Sequence, residues 1–167
     1  PKMVLINEQA ELTRQHSRLH HLSEPDTYTR LAQYILFEEA EGKANLIYGL
    51  IERKTLIDVG GFRERTSRDW GADMILVFRL LSRGNVVFSP RILWQKRLVN
   101  DQTYDTIRDW TQTLSDCLGN SLEELRDRRA YFEAYNEALQ GLSDISTRQR
   151  FVLRGIVKFR CIYVLLT

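Results

Sequence analysis

Apolar residues recur along the chain with changing periods, and each period predicts a different element. Val4, Leu5 and Ile6 form a short continuous apolar run that reads as a strand. Asn7 then stands where it can cap a polar helix running through Leu22, with Leu12 and Leu19 on one side. Ser23-Glu24-Pro25-Asp26 breaks the chain, and Pro25 suits a first helical turn because its missing N–H costs nothing there. Leu31, Tyr34, Ile35 and Phe37 follow at near-helical spacing until Gly42. Asn45 to Ile51 is apolar, with Gly49 where a backbone can approach a neighbour closely. Lys54 to Val59 predicts one or two helical turns closed by Gly60-Gly61, and Phe62 to Asp69 a charged loop.

The second half of the chain continues in the same way. Asp73 to Leu81 predicts a helix that buries Met74, Leu76, Val77, Leu80 and Leu81. Val86 to Phe88 and Ile92 to Trp94 read as two extended pieces separated by Ser89-Pro90. Asp101 to Leu118 reads as a helix that stops at Gly119-Asn120. Ser121 and Glu124 form a capping box for another helix reaching Gly141, and Thr147 to Thr167 forms the last.

Composition narrows the class. Of 167 residues, 43% are hydrophobic and 28% charged, enough for one domain with its own core. A net charge of +2 argues against nucleic acid as a partner, because acidic and basic residues are interleaved everywhere except the last segment. Cys117 and Cys161 lack the spacing of a zinc site, and read as core residues of a reducing compartment. His16 and His20 would share a helix face at i, i+4, with a solvated polar face as the plainer reading.

Residues 45–98 carry the candidate chemistry. They contain Tyr48-Gly49, then Arg53 before a short helix ending Val59-Gly60-Gly61-Phe62. Asp73 opens a helix with Arg79-Leu80; then come Gly84, a stretch ending at Pro90, and Leu93-Trp94 followed by Arg97. This ordered series resembles the second half of inverting, family 2 glycosyltransferases with the GT-A fold. The resemblance implies a mixed, helix-rich α/β chain: a partial GT-A-type domain followed by C-terminal helices. Residues 1–100 would be the C-terminal half of the GT-A domain, 101–147 a helical extension, and 148–167 a basic amphipathic helix. The expected function is transfer of a sugar from a nucleoside-diphosphate sugar to a hydroxyl on a glycan or lipid-linked acceptor, as in bacterial cell-surface polysaccharide biosynthesis. The alternative is a non-catalytic helical binding module.

In that reading Asp73 is the catalytic base, since a carboxylate at a pocket mouth can take the acceptor proton. Its plainer role is a helix N-cap. Tyr48, Gly49, Trp70, Gly71 and Ala72 would line the acceptor side, with Gly71 and Ala72 small enough to let a sugar approach and Trp70 as an aromatic wall or a core residue. Ala72 stands where the family usually has the Glu of a Glu-Asp pair, which leaves the acceptor class open. Arg53, Lys96 and Arg97 would balance diphosphate charge, and for Arg53 the plainer reading is an ion pair with Glu52 or Asp58.

The Asp-x-Asp motif that holds a divalent ion against the donor is absent; Asp101, Asp105 and Asp109 fall at helical spacing instead. Mg or Mn is therefore expected only in the full-length enzyme, with no metal ligand and no cofactor in this chain. The chain is expected to be a fragment, inactive alone, of a cytoplasmic enzyme. Arg148, Arg150, Arg154, Lys158 and Arg160 punctuate an apolar segment without any acidic residue. Residues 148–167 would then contact the inner face of a membrane, or pack on the domain with their basic side outward.

Overall fold

The computed structural model describes residues 2–16, 22–37, 42–62, 71–89, 91–97 and 128–166. Their architecture is mixed α/β and helix-rich, with a small three-stranded sheet. Strand β1 (Lys2–Ile6) lies between β2 (Leu12–His16), which runs antiparallel to it, and β3 (Ile92–Arg97), which runs parallel. Val4, Leu5 and Ile6 are all buried, as expected of a central strand covered on both faces.

Residues 7–16 do not form the expected helix. Asn7 caps nothing helical; its side-chain oxygen accepts the Glu11 N–H at 2.8 Å, and its amide donates to the Glu11 carboxylate at 2.8 Å. These contacts close a hairpin, with Ala10 held at φ 64°. Local side-chain bonding by Asn competes with helix in this way. Leu12 is exposed, so a helix here would have had little apolar surface to bury, while the open edge of β1 offers backbone partners along its length. His16 therefore sits in a strand, and the expected i, i+4 pairing with His20 on a helix face has no basis.

Helix α1 (Thr27–Leu36) begins at Asp26, not at Pro25; the Asp26 carboxylate accepts the Thr29 N–H at 2.7 Å. Hydrogen bonding from Thr29 lowers the Asp26 pKa. The cap's contribution is thus present above the ordinary carboxylate range and lost as pH falls through the lowered value. The apolar stretch that starts at Asn45 lies in a 3-10 segment (Lys43–Tyr48). Helix α2 (Arg53–Asp58) ends in Gly60 and Gly61, both at positive φ, as the glycine pair predicts. Helix α3 (Ala72–Leu81) is buried on nearly every side, which its continuous apolar sequence requires. Residues 86–88 join no sheet among the described residues. Val86 and Phe88 instead pack against the helical core while Val87 points outward, so the alternation is real but serves helix packing. A helix over 128–140 (α4) and α5 (Thr147–Leu166) complete the described chain; the end of α4 and the course of α5 lie close to the predicted ones, and the expected start at Ser121 lies outside the described residues.

The core joins α1, α3, α4 and α5. Tyr34, Phe78, Tyr131, Phe132 and Tyr135 form its aromatic centre, with Phe78 edge-on to Tyr135 at 4.8 Å between ring centres. The buried hydroxyls are satisfied: Tyr34 donates to the Met74 carbonyl at 2.9 Å, and Tyr131 and Tyr135 share a hydrogen bond of 2.7 Å. Lys43 is wholly buried. Its ammonium donates to the carbonyls of Tyr34 and Phe37 near the end of α1 and lies 5.0 Å from the Tyr34 ring centre.

Arg30 ties these parts together. It is buried, and its guanidinium donates to Leu81 O (2.9 Å), Pro25 O (3.0 Å), Asn85 Oδ1 (2.9 Å), Thr27 Oγ1 (3.2 Å) and Glu24 O. Replacing it by methionine in Arg30→Met keeps much of the volume but strands these acceptors. A loss of about 3 kcal/mol or more is expected in urea unfolding. Gly71, the N-cap of α3, has φ 76°, and a Cβ there would lie 2.5 Å from Cδ2 of Tyr131. Gly71→Ala combines a left-handed backbone with a ring clash and should cost about 2–4 kcal/mol in the same assay.

Candidate functional site

The residues of the 45–98 series come from four elements. The 3-10 segment ends at Tyr48 and is packed against α3, which begins at Ala72-Asp73. β3 delivers Trp94, Lys96 and Arg97 alongside β1. Tyr48 and Trp94 meet: their ring centres are 4.1 Å apart with planes inclined at 35°. Tyr48 remains 55% exposed, so the pair is an accessible aromatic surface and not a core contact. Trp94 and Lys96 are both half-buried and alternate onto one face of β3, whereas Gln95 and Arg97 are exposed on the other.

Asp73 lies in the first turn of α3, half-buried, and its Oδ1 accepts the Met74 N–H at 2.7 Å. It is not the N-cap; Gly71 holds that position and makes no side-chain cap. An acidic group in the first helical turn is favoured by the unpaired N–H groups there. Ala72, beside it, is half-buried.

Gly71 is small for a reason other than sugar approach. It is buried, and the space a side chain would fill is occupied by the Tyr131 ring. Gly49 is likewise explained locally: it closes the 3-10 segment through its N–H to Leu46 O at 3.1 Å, the same oxygen that a Cβ would meet at 3.2 Å. Arg97 is committed to the hairpin, donating to the Glu8 carbonyl at 2.6 Å. Arg53 is exposed at the start of α2, and its two expected partners are engaged elsewhere. Asp58 binds Lys54 at 2.7 Å, raising the Lys54 pKa, and Glu52 accepts the Thr55 hydroxyl at 2.5 Å. Trp70, Cys117 and the expected helix over 101–118 lie outside the described residues.

No protein-family model, characterised protein or solved structure matches this chain. The resemblance of residues 45–98 to glycosyltransferases thus rests on those residues and their arrangement.

Among the described residues no three His, Cys, Asp or Glu side chains converge as a metal would need. Cys161 is a free, half-buried thiol whose pKa burial raises, which keeps it protonated and weakly nucleophilic at neutral pH. What the arrangement offers is an aromatic ledge of Tyr48 and Trp94, a cation at Lys96 on the same strand face, and a carboxylate at the start of α3. Trp94 had stood in the series only as part of Leu-Trp-x-x-Arg, with no role of its own; Tyr131, which shapes the start of α3, carried no local signal at all.

The Tyr48–Trp94 contact should be measurable in a double-mutant cycle. Tyr48→Ala and Trp94→Ala, singly and together, are expected to show a coupling of about 0.5–1.5 kcal/mol in unfolding free energy. Additive losses would mean the two rings do not support each other.

Proposed function

We propose that this chain is the acceptor-side part of an inverting glycosyltransferase that moves a sugar from a nucleoside diphosphate to a hydroxyl of a glycan or lipid-linked acceptor. The observation that carries the proposal is the Tyr48–Trp94 contact. It brings together the Tyr-Gly start and the Leu-Trp-x-x-Arg end of the series, which are far apart in sequence, at an exposed surface. Aromatic faces of this kind pack against the C–H faces of a sugar ring while leaving its hydroxyls free to bond elsewhere.

In the proposed reaction the acceptor hydroxyl oxygen attacks the anomeric carbon and its proton passes to the Asp73 carboxylate. The bond from that carbon to the diphosphate oxygen breaks, and the nucleoside diphosphate leaves with the electron pair. Lys96 supplies positive charge on the Trp94 face of β3. The donor base and a divalent ion would be held by residues other than the described ones.

A second reading, a non-catalytic interaction module, draws on two observations: Asp73 already bonds to Met74 N, and Tyr131 closes the space beside Gly71. Asp73→Asn distinguishes the two when the chain is joined to its donor-binding half. Transfer should fall by about 10²–10⁴-fold with nucleotide-sugar affinity retained. Unchanged turnover in that variant selects the module.

A further inference from the structure

Helix α5 has two unlike sides. Leu153, Val157 and Val164 are buried against the rest of the core, with α1 as a direct neighbour. The opposite side is bare: Phe151 is 76% and Phe159 64% exposed, and Val152, Ile162 and Tyr163 are exposed with them. At about 100° per residue these five fall on one face. Arg148 lies within that face, and Arg154 and Lys158 run along one edge of it; all three are exposed. Gly155 sits in the middle and leaves the face open, with nothing within 4 Å of where a side chain would stand. The whole span from Thr147 to Thr167 contains no Asp or Glu.

We infer that this face docks flat on an anionic lipid surface, with Phe151 and Phe159 entering the acyl boundary and Arg148, Arg154 and Lys158 at the headgroups. Charge selects this occupant. A second copy of the same face would set cations against cations, whereas a lipid surface rich in phosphate and carboxylate complements them while admitting the aromatic side chains. Among the described residues no helix is long and apolar enough to cross a membrane, and α5 is held on the domain by its buried side, so it lies along the surface. The inference does not depend on the transfer reaction, because it uses none of the residues assigned to it.

The test is co-sedimentation of the chain with vesicles of phosphatidylcholine alone and of phosphatidylcholine mixed with phosphatidylserine. The chain should pellet with the mixed vesicles, remain in solution with the neutral ones, and dissociate from the mixed vesicles at high salt. R148Q/R154Q/K158Q should weaken partitioning by about fivefold for each cation removed. F151S/F159S should abolish retention while leaving the circular dichroism unchanged, since both rings are exposed. Equal partitioning into the two lipids, or none into either, overturns the inference. So does a concentration-dependent dimer in sedimentation equilibrium that F151S/F159S disperses, which would assign the face to a second copy. The salt and lipid arms use the unsubstituted chain and decide the question if a variant fails to fold.

Discussion

The described helices depend on a buried cation at their junction. Arg30 is removed from water at the junction of the chain break at 24–25, the first turn of α1, the last turn of α3 and the turn at Asn85. A guanidinium in an apolar interior is costly unless it is hydrogen-bonded, and here its N–H groups go to carbonyl, hydroxyl and amide oxygens of the surrounding segments. The arrangement fixes the angle at which α1 crosses α3, and with it the floor on which the 3-10 segment rests. Lys43 repeats the device at the other end of α1, where its ammonium meets the terminal carbonyls and the face of Tyr34. Both ends of one helix are thus fastened by buried cations that donate to backbone carbonyls.

That fastening also shapes the start of α3. Tyr34 reaches the Met74 carbonyl, and Tyr131 packs on Gly71 while its hydroxyl meets Tyr135. Asp73 therefore emerges from a first turn held between two helices. A carboxylate used for proton transfer needs such a rigid base, because misplacement by an ångström lowers the rate steeply. The same packing closes the Gly71 side, where the Tyr131 ring fills the space a side chain would take. The ledge of Tyr48 and Trp94 and the cation at Lys96 are carried by different elements: the 3-10 segment packs on α3, and β3 pairs with β1 and meets the 3-10 segment through the two rings.

α5 shows how one sequence can serve core and surface together. Its buried stripe completes the aromatic core, and its outward face keeps large apolar side chains in water beside cations. It packs on the domain and exposes Arg148, Arg154 and Lys158, whereas Arg160 is buried and Arg150 half-buried, so the expected basic side is outward only in part. The feature that a linear reading did not separate is that the aromatic residues also lie outward.

Local chemistry made much of the fold legible. The glycine pair after α2, the break before α1, the apolar density of α3, and the course of α5 follow from backbone preferences and periodicity that act within a few residues. Ordered motifs brought Tyr48, Asp73, Trp94 and Lys96 to notice in the same way. What sequence alone misjudged was settled by distant partners. Residues 7–16 became a hairpin because β1 had an unpaired edge, and Val86 to Phe88 packed on helices because no strand lay beside them among the described residues. Gly71 owes its small size to Tyr131, sixty positions away. The sequence determined which segments had strong local preferences and which residue types were available for chemistry. Tertiary structure decided which side chains share space, because that depends on contacts between segments whose separation along the chain leaves no periodic trace.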